Sequence, residues 1–245
     1  MTPLAGVGDE DWQRRYREWL AGRPVEKRAR PFWWNDLCWG APTRPVVGVA
    51  WFEAVAYTRW LEERLKVASF QLKVWQDKKI VNVNLQPATC NIQLPSEAEW
   101  EKAARGGLLS PDRRGAGGEV RKYPWAGEWR ENCANIEATG LEQTNPVGMF
   151  PGGASPYGVL EMSGNVWEWT RSRWGERSVM QAEYGYPYDP NDGRERLEDM
   201  KIPILRGGSW HDNPRYARCA FRFRGVPGNF LSLSGFRMVV SLVRC

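Results

Sequence analysis

The chain contains 245 residues, of which 42% are hydrophobic, and carries a net charge of +5 with five cysteines. No stretch approaches the about 20 consecutive apolar residues of a membrane span, the basic residues form no dense phosphate-binding block, and the cysteines form no CxxC pair. These features argue against a membrane protein, a nucleic-acid-binding protein and a zinc-stabilised domain, and they favour reduced, mostly buried thiols.

The first 40 residues combine a short charged helix with an aromatic-rich segment. Periodicity predicts the helix over Asp11 to Leu20, and the sequence RARPFWWNDLCWG that follows predicts an extended segment. We interpret residues 1–40 as an N-terminal arm packed on a domain formed by residues 41–245, although such an arm could also dock other domains of a longer polypeptide. Charged residues near Met1 replace the apolar run of a signal peptide, so we expect a cytoplasmic protein.

Two changes of period mark the next elements. Phe52, Val55 and Trp60 are spaced as one face of an amphipathic helix. Between residues 68 and 94 the hydrophobic residues instead alternate with polar ones, which predicts a β-hairpin with its turn at Gln76 to Lys79.

The phrase LPSEAEWEKAARGG gives the clearest local signal in the chain. Ser96 and Glu99 have the spacing of a capping box, which satisfies free amides at a helix N-terminus. Trp100 and Ala104 then form an apolar stripe, and Gly106 is a suitable residue to end the helix.

Two stretches lack any hydrophobic period. Residues 106–120 are rich in Gly, Asp and Arg and are predicted to form a loop. Residues 175–203 contain the turn-forming sequence YGYPYDPNDG and are predicted to form a long surface excursion. Long loops in compact domains are often functional, so this excursion could lie near a binding face.

The stretch from Leu205 to Val239 alternates between two kinds of residue. One kind is a framework that begins with RGGSW, is rich in arginine and ends with GFR. The other kind mixes aromatic, aliphatic, polar and acidic residues without the two-residue period of a half-buried strand. The positions of this second kind, called the variable positions below, are His211, Asp212, Asn213, Tyr216, Phe221, Phe223, Gly225, Val226, Gly228, Phe230, Leu231, Ser232, Leu233 and Ser234.

The phrases GNVWEW and RGGSW…GFR resemble the formylglycine-generating-enzyme and sulfatase-modifying-factor group, over roughly residues 40–244. The resemblance implies a C-type-lectin-like α+β fold with two helices, small antiparallel sheets and much irregular structure. It also implies that most framework residues are buried or locked by hydrogen bonds. This expectation applies to Trp210, Ala217, Cys219, Ala220, Phe236 and Met238.

Within that group, the C-terminal stretch resembles the variable proteins of diversity-generating retroelements. Such an element copies a template with errors at adenines, so the products of an AAC codon include Phe, Leu, Val, Ser, Tyr, His, Asp and Gly and exclude Trp, Lys, Glu, Gln and Met. Every variable position holds one of the allowed products or Asn itself. The resemblance implies a diversified ligand-binding region over residues 205–239, whose variable positions converge on one exposed face and bind a protein that the sequence does not identify.

The resemblance also implies calcium next to GNVWEW. The first site would use Glu161, the carbonyls of Gly164 and Val166, and Glu168, and calcium prefers such carboxylate and carbonyl oxygens. The alternative is that Trp167 and Trp169 belong to the core and that Asn165 and Glu168 only hydrogen-bond a tight turn. A second site would use Asn135, Ile136, Thr139 and Leu141, with Thr139 where the group can have a carboxylate.

Cys219 raises the alternative of a formylglycine-generating-type cysteine oxidase. Enzymes of that kind bind copper with two thiols, and Cys219 matches the second of them. The first position is Pro214, which cannot ligate a metal, and the nearest other thiol in sequence is Cys245. We therefore expect neither catalysis nor copper. The single histidine, His211, cannot supply the several ligands of a related iron-dependent branch, and we interpret it as a binding-surface residue.

Overall fold

A computed structural model describes residues 10–65, 70–76, 79–85, 90–106, 121–176, 181–197 and 201–242. These residues form three α-helices and eight β-strands, most of them short, which confirms the predicted α+β class. None of the helices in these ranges is both long enough and apolar enough to cross a bilayer.

The first helix, α1 (Glu10–Ala21), places its aromatic residues on one face. Trp12 is buried in the main hydrophobic cluster, and Tyr16 and Trp19 pack against that cluster at helical spacing. The predicted helix is confirmed and is one residue longer at each end. Because of these three rings, α1 contributes to the core of the domain.

The second helix, α2 (Trp51–Leu65), is stabilised by a buried aromatic face and by a carboxylate in its first turn. Trp51 and Phe52 are 1% and 4% exposed. Glu53 Oε2 accepts the backbone N–H of Ala50 at 2.9 Å, which satisfies an amide that the helix itself leaves free. The predicted helix is therefore confirmed.

A hairpin follows, with β1 (Phe70–Gln76) antiparallel to β2 (Lys79–Leu85). Gln76 lies opposite Lys79, so the predicted hairpin and the position of its turn are confirmed for the backbone. The next strand, β3 (Cys90–Gln93), leads directly into the third helix.

The third helix, α3 (Glu97–Arg105), begins with the predicted capping box. Ser96 Oγ accepts the N–H of Glu99 at 3.1 Å, and Glu99 Oε2 accepts the N–H of Ser96 at 2.8 Å. Trp100 and Ala104 are buried, and the N–H of Gly106 donates to the last turn. Residues 107–120 of the loop predicted after Gly106 lie outside the described residues.

The central sheet contains four strands in the order β6-β5-β4-β7. They are β4 (Trp167–Gly175), β5 (Ile202–Arg206), β6 (Phe223–Arg224) and β7 (Ser234–Phe236). Strand β7 runs parallel to β4, whereas β5 is antiparallel to both of its neighbours. The last strand, β8 (Val239–Leu242), pairs with β3. The C-terminal stretch therefore contributes both β6 and β7 to the same sheet as GNVWEW.

Buried indole N–H groups tie the layers together. Trp51 Nε1 donates to the carbonyl of Thr170 at 2.9 Å, and Trp169 Nε1 donates to the carbonyl of Val49 at 2.8 Å. These bonds join α2 and the segment before it to the central strand β4. Burying a tryptophan this way gains apolar contact without leaving its polar atom unsatisfied.

The surface excursion predicted over residues 175–203 is confirmed where it is described, since residues 181–197 form no helix or strand and most of them are exposed. Arg194 is 1% exposed and pairs with Asp192 at 2.7 Å and with Glu97 at 3.4 Å. Tyr184 is also buried. These two buried side chains hold the loop against the domain, and the charge pairs of Arg194 leave no hydrophobic period in the sequence.

Candidate ligand-binding face

The RGGSW opening crosses closely over α3 and the GNVWEW loop. Gly207 and Gly208 have φ of +97° and +76°, a backbone region that disfavours side chains. A Cβ at Gly207 would lie 3.2 Å from Trp100, and one at Gly208 would lie 3.1 Å from the backbone of Ala217. Glycine is therefore required at both positions by backbone conformation and by space.

Hydrogen bonds from buried arginine and serine side chains then hold the framework backbone in place. Arg206 is fully buried, and its Nη2 donates to Glu101 at 2.5 Å and to the carbonyl of Cys219 at 2.6 Å. Ser163 Oγ donates to the carbonyl of Ala217 at 2.6 Å. Ala217 and Cys219 are both 0% exposed. At these positions the framework is buried, as predicted.

Other framework residues meet the expectation unevenly. Trp210 is half-buried and stacks on Trp39 of the arm at 5.5 Å. Ala220 is exposed, although its carbonyl accepts Arg206 Nη1 at 3.4 Å, and Phe236 packs against the main cluster. Met238 is 39% exposed, so the prediction that it is buried is wrong. It lies between β7 and β8 at the mouth of an open cavity.

Three variable aromatic residues surround one buried indole, that of Trp167. The ring centroids of Phe223, Phe221 and Tyr216 lie 5.1, 6.1 and 6.4 Å from that of Trp167, and Tyr216 contacts Phe221 edge-on at 4.8 Å. Phe223 is 43% exposed, whereas Trp167 is 3% exposed. We call Tyr216, Phe221 and Phe223 on Trp167 the aromatic face.

Three further variable residues point to solvent. His211, Asn213 and Leu231 are exposed, and the His211 ring packs edge-on against Trp210 at 5.3 Å. Val226, Ser232 and Leu233 are half-buried. The accessible variable positions thus include polar, aliphatic and aromatic side chains.

The N-terminal arm covers part of the variable stretch. Phe230 stacks on Phe32 at 4.4 Å, and the guanidinium of Arg23 lies 5.3 Å from its ring centre. Trp19 Nε1 donates to the carbonyl of Gly228 at 3.1 Å, and a Cβ at Gly228 would meet that indole at 2.8 Å. Sequence reasoning missed these contacts, although the clustered aromatic residues of the arm were a signal for them.

At three variable positions the surrounding fold constrains the side chain. Ser234 is 1% exposed and pairs with Trp167 in the parallel β4–β7 ladder, so the prediction that it is solvent-facing is wrong. A Cβ at Gly225 would lie 2.5 Å from Trp169, which leaves no room for a side chain. Asp212 is half-buried. Its Oδ2 accepts the backbone N–H of Ser209 at 2.9 Å and the Ser209 hydroxyl at 2.5 Å.

The first predicted calcium position is occupied by an internal ion pair. Arg237 donates to both oxygens of Glu168 at 2.5 Å, and its Nη2 also donates to the carbonyls of Leu160 and Glu161 at 3.2 Å. Trp100 Nε1 donates to Glu168 at 2.6 Å. The Glu168 carboxylate is therefore neutralised and fully hydrogen-bonded, and as it stands it does not fit a calcium ligand.

The Glu161 carboxylate differs from that of Glu168. Its oxygens accept the N–H of Gly148 at 3.1 Å and Asn165 Nδ2 at 3.2 Å, and both donors are neutral. Burial raises the pKa of the Glu161 carboxyl above its ordinary value. The carbonyl of Gly164 accepts the N–H of Val166 at 2.9 Å. With Glu168 paired to Arg237, the predicted set keeps one carboxylate beside neutral carbonyls, a low charge count for a calcium site.

The second predicted calcium position also satisfies its own oxygens. Thr139 Oγ1 donates to Asn135 Oδ1 at 2.8 Å and to the carbonyl of Ile136 at 2.7 Å. Neither these residues nor Leu141 supplies a carboxylate. The set therefore does not fit calcium, and within the described ranges no group of three or more His, Cys, Asp or Glu residues could hold a metal.

The thiol that the oxidase alternative requires lies deep in the framework. Cys219 is 0% exposed and packs with Trp100, Ala104 and Met162. Burial raises the pKa of its thiol to about 12, so the thiolate that binds Cu(I) is strongly disfavoured. Pro214 accepts the hydroxyl of Tyr123 at its carbonyl, and Cys245 lies outside the described residues.

Comparison with known proteins places this geometry in a family. A model of the sulfatase-modifying factor enzyme 1-like domain matches residues 13–242. The chain is similar to serine/threonine-protein kinase pkn1 of Chlamydia caviae, with 31% identity over 200 residues, covering 81% of this chain and 24% of the kinase. It is also similar to the formylglycine-generating enzyme of Mycobacterium tuberculosis, with 35% identity over 165 residues, covering 60% of this chain and 44% of the enzyme.

A solved structure resembles the fold more fully. Treponema denticola variable protein 1 aligns with a TM-score of 0.55 and 22% identity, covering 94% of this chain and 80% of that chain. The predicted C-type-lectin-like fold is thereby confirmed. The chain spans between 24% and 44% of the length of the two curated relatives above. Since the family model extends over residues 13–242, the chain belongs to the family of sulfatase-modifying factor enzyme 1-like domains.

Proposed function

We propose that this chain is a binding module that holds a protein ligand on the aromatic face and the exposed variable residues beside it. We further propose that adenine-directed retroelement mutagenesis diversifies these positions. The observation that carries the proposal is the contrast at Trp167: the indole is 3% exposed and held in β4, whereas Phe223 stacked on it is 43% exposed. The buried Trp167 indole is thus a fixed platform under exposed side chains that can be exchanged.

The residue types of the face suit a protein ligand. Tyr216, Phe221 and Phe223 offer large, rigid apolar area, and His211 and Asn213 add polar groups that can specify a partner. Antibody paratopes combine aromatic anchors and small polar residues in the same way. A face of this kind could bury roughly 600 to 800 Å² on each partner, which suffices for a specific complex.

The similarity in fold to a Treponema denticola variable protein supports this proposal, as does the agreement of every variable position with the products of an AAC codon. A library provides the test. Randomising His211, Asn213, Tyr216, Phe221, Phe223 and Leu231, and displaying the full chain, should yield folded variants that bind a single purified protein such as lysozyme.

The matched control library randomises the buried positions Ala217, Cys219 and Ser234 in the same display format. It should yield few folded chains, because core changes commonly cost several kcal/mol, about 2 to 5. Equal recovery of folded chains from the two libraries would contradict the proposal. A near-copy of the DNA for residues 205–239, differing only at adenines and beside a reverse-transcriptase gene, would establish the diversification itself.

Cys219 keeps the oxidase alternative open to experiment, since the family includes formylglycine-generating enzymes. We propose that the chain does not catalyse that reaction, because Pro214 replaces one thiol and the other is fully buried. Titration with Cu(I) should show no difference between the natural chain and Cys219→Ser. Stoichiometric Cu(I) binding lost in Cys219→Ser, with oxidation of a cysteine peptide, would favour the enzyme.

A further inference from the structure

The N-terminal arm places a buried arginine beside one of the variable positions. Arg23 lies just after α1 and is 4% exposed. Its guanidinium carbon is 5.3 Å from the ring centre of Phe230 and 5.0 Å from that of Trp19. Phe230 in turn stacks on Phe32 at 4.4 Å. The side chain at position 230 therefore lies against the arm and is not part of the aromatic face.

Only part of this guanidinium group is engaged. Arg23 Nη1 donates to the Glu53 carboxylate in the first turn of α2. Arg23 Nε and Nη2 are buried, and neither has a hydrogen-bond partner in the described part of the chain. Buried polar groups are nearly always hydrogen-bonded, so an exception of this kind requires an explanation.

The pair with Glu53 does not by itself explain an arginine at this position. One positive charge and one N–H donor are sufficient for such a pair, and a lysine would supply both. The other cation of this region, Lys27, already donates to the carbonyl of Phe32 at 2.9 Å. The unused donors of Arg23 are thus the distinctive feature of the contact between the arm and position 230.

The products of an AAC codon make opposite demands on whatever surrounds position 230. Some of them are rings, such as Phe, Tyr and His, whereas others are short polar side chains, such as Asn, Asp and Ser. A purely apolar surrounding would reject the polar products, because a buried polar group without a partner is costly. A guanidinium group suits both classes, since its flat face attracts rings and its edge donates to acceptors.

We propose that Arg23 is the fixed partner, supplied by the arm, of whatever residue occupies variable position 230. Its flat face contacts a ring there, as it does with Phe230, and Nε or Nη2 donates to a polar side chain there. Position 230 is then diversified toward the arm and not toward the ligand. The inference rests on the proposed diversification, because only a position that changes requires a partner of both kinds.

The test is a comparison of Phe230→Asn with Phe230→Leu, since the two new side chains have nearly the same size and only the amide can accept a hydrogen bond. The second background is Arg23→Met with Glu53→Gln, which removes the guanidinium without leaving a buried carboxylate unpaired. In the natural background both variants lose the stack on Phe32, and they should melt within about 3 °C of each other. In the second background Phe230→Asn should melt lower, with the gap wider by about 3 to 12 °C.

The matched control makes the same two substitutions at Phe223, which is also variable but belongs to the aromatic face. The gap between Phe223→Asn and Phe223→Leu should be equal in the two backgrounds. A gap at position 230 that stays the same in both backgrounds would overturn the proposal, as would an equal widening at position 223.

A second measurement needs no change at Arg23. NMR should show that the guanidinium N–H groups of Arg23 exchange with solvent about tenfold more slowly in Phe230→Asn than in Phe230→Leu, as expected for one added hydrogen bond. Equal exchange rates would contradict the proposal. Neither measurement uses a ligand, so a displayed library that binds nothing would leave the coupling between positions 23 and 230 intact. Absence of that coupling would equally leave binding by the aromatic face untouched.

Discussion

Trp167 and Glu168 are neighbours in β4, and strand alternation sends their side chains to opposite sides of the sheet. Trp167 carries the aromatic face, whereas Glu168 is fixed by Trp100 and Arg237. A ligand on the proposed aromatic face would thus lie over a strand in which the residue after Trp167 is locked by three hydrogen bonds. Such support from behind is what keeps a binding residue in position.

Removing one partner of the Glu168–Arg237 ion pair should destabilise the folded chain. Glu168→Gln leaves Arg237 without a counter-ion, and we expect the free energy of unfolding to fall by about 3 kcal/mol, since one partner of a buried pair remains unpaired. Urea denaturation measures the loss. The exposed Arg14–Glu18 pair of α1 is the control, and Glu18→Gln should cost less than about 0.5 kcal/mol. Equal losses would contradict the interpretation.

The capping box predicts a particular pH dependence. Burial alone would raise the pKa of Glu99, but hydrogen bonds from Arg171 and from the N–H of Ser96 outweigh it, so that the pKa lies below its ordinary value. Glu99 therefore stabilises the fold at neutral pH, and this contribution is lost as the pH falls through the carboxyl range.

We expect Glu99→Gln to be less stable than the natural chain at pH 7, by less than about 1 kcal/mol because solvent screens the 40% exposed side chain. The difference should shrink when urea denaturation is repeated near pH 4. A difference that grows on acidification would show that the carboxylate is not stabilised by its partners.

At the scale of elements, the arm divides the variable positions into accessible and covered ones. Trp19 and Phe32 lie against Gly228 and Phe230, whereas the aromatic face has no such cover among the described residues. The same mutational process would therefore meet different constraints along one stretch. Changes at covered positions must be accommodated by the arm.

Two equivalent substitutions test this division. Phe223→Asn should change the free energy of unfolding by less than about 1 kcal/mol, since Phe223 is 43% exposed. Phe230→Asn should cost about 2 kcal/mol, because it removes the stack on Phe32 and the contact with Arg23. Thermal melting compares the two variants. A larger loss for Phe223→Asn would contradict the division.

Local sequence signals located the elements but not the contacts between distant ones. Hydrophobic period and the capping box found α1, α2, α3 and the hairpin, because helices and hairpins are determined within one short stretch. The pairing of Ser234 with Trp167 joins residues 67 apart in sequence, and nothing in LSLSGF distinguishes a strand residue from an exposed one. The same limit applies to Arg194, whose burial depends on Glu97.

At the scale of the whole molecule, one buried carboxylate joins separate parts of the chain. Glu97 is 0% exposed and accepts Arg222 Nε at 2.6 Å and Arg194 Nη1 at 3.4 Å, with Arg206 Nη1 at 4.0 Å. These residues connect α3, the 181–197 segment, β5 and the variable stretch. The framework charges of Arg206 and Arg222 are thus compensated within the chain, and we propose that no added ion is needed to hold them.

The effect of calcium on thermal stability tests whether the framework is held without an added ion. A ligand that binds only the folded state stabilises it, by about 2.7 kcal/mol at a hundredfold excess over its dissociation constant. For a domain of this size each kcal/mol shifts the melting temperature by about 2 to 4 °C. A structural site of micromolar affinity would therefore raise the melting temperature by several degrees in millimolar calcium.

We expect a shift of less than about 1 °C when calcium replaces EDTA, because Arg237 already neutralises Glu168 and Thr139 satisfies the second loop. Magnesium at the same concentration controls for ionic strength. A rise with calcium alone that disappears in Glu161→Gln would mean that the ion competes successfully with Arg237 for Glu168. The framework would then require a metal to hold the platform under Trp167, and its internal charge pairs would not be sufficient.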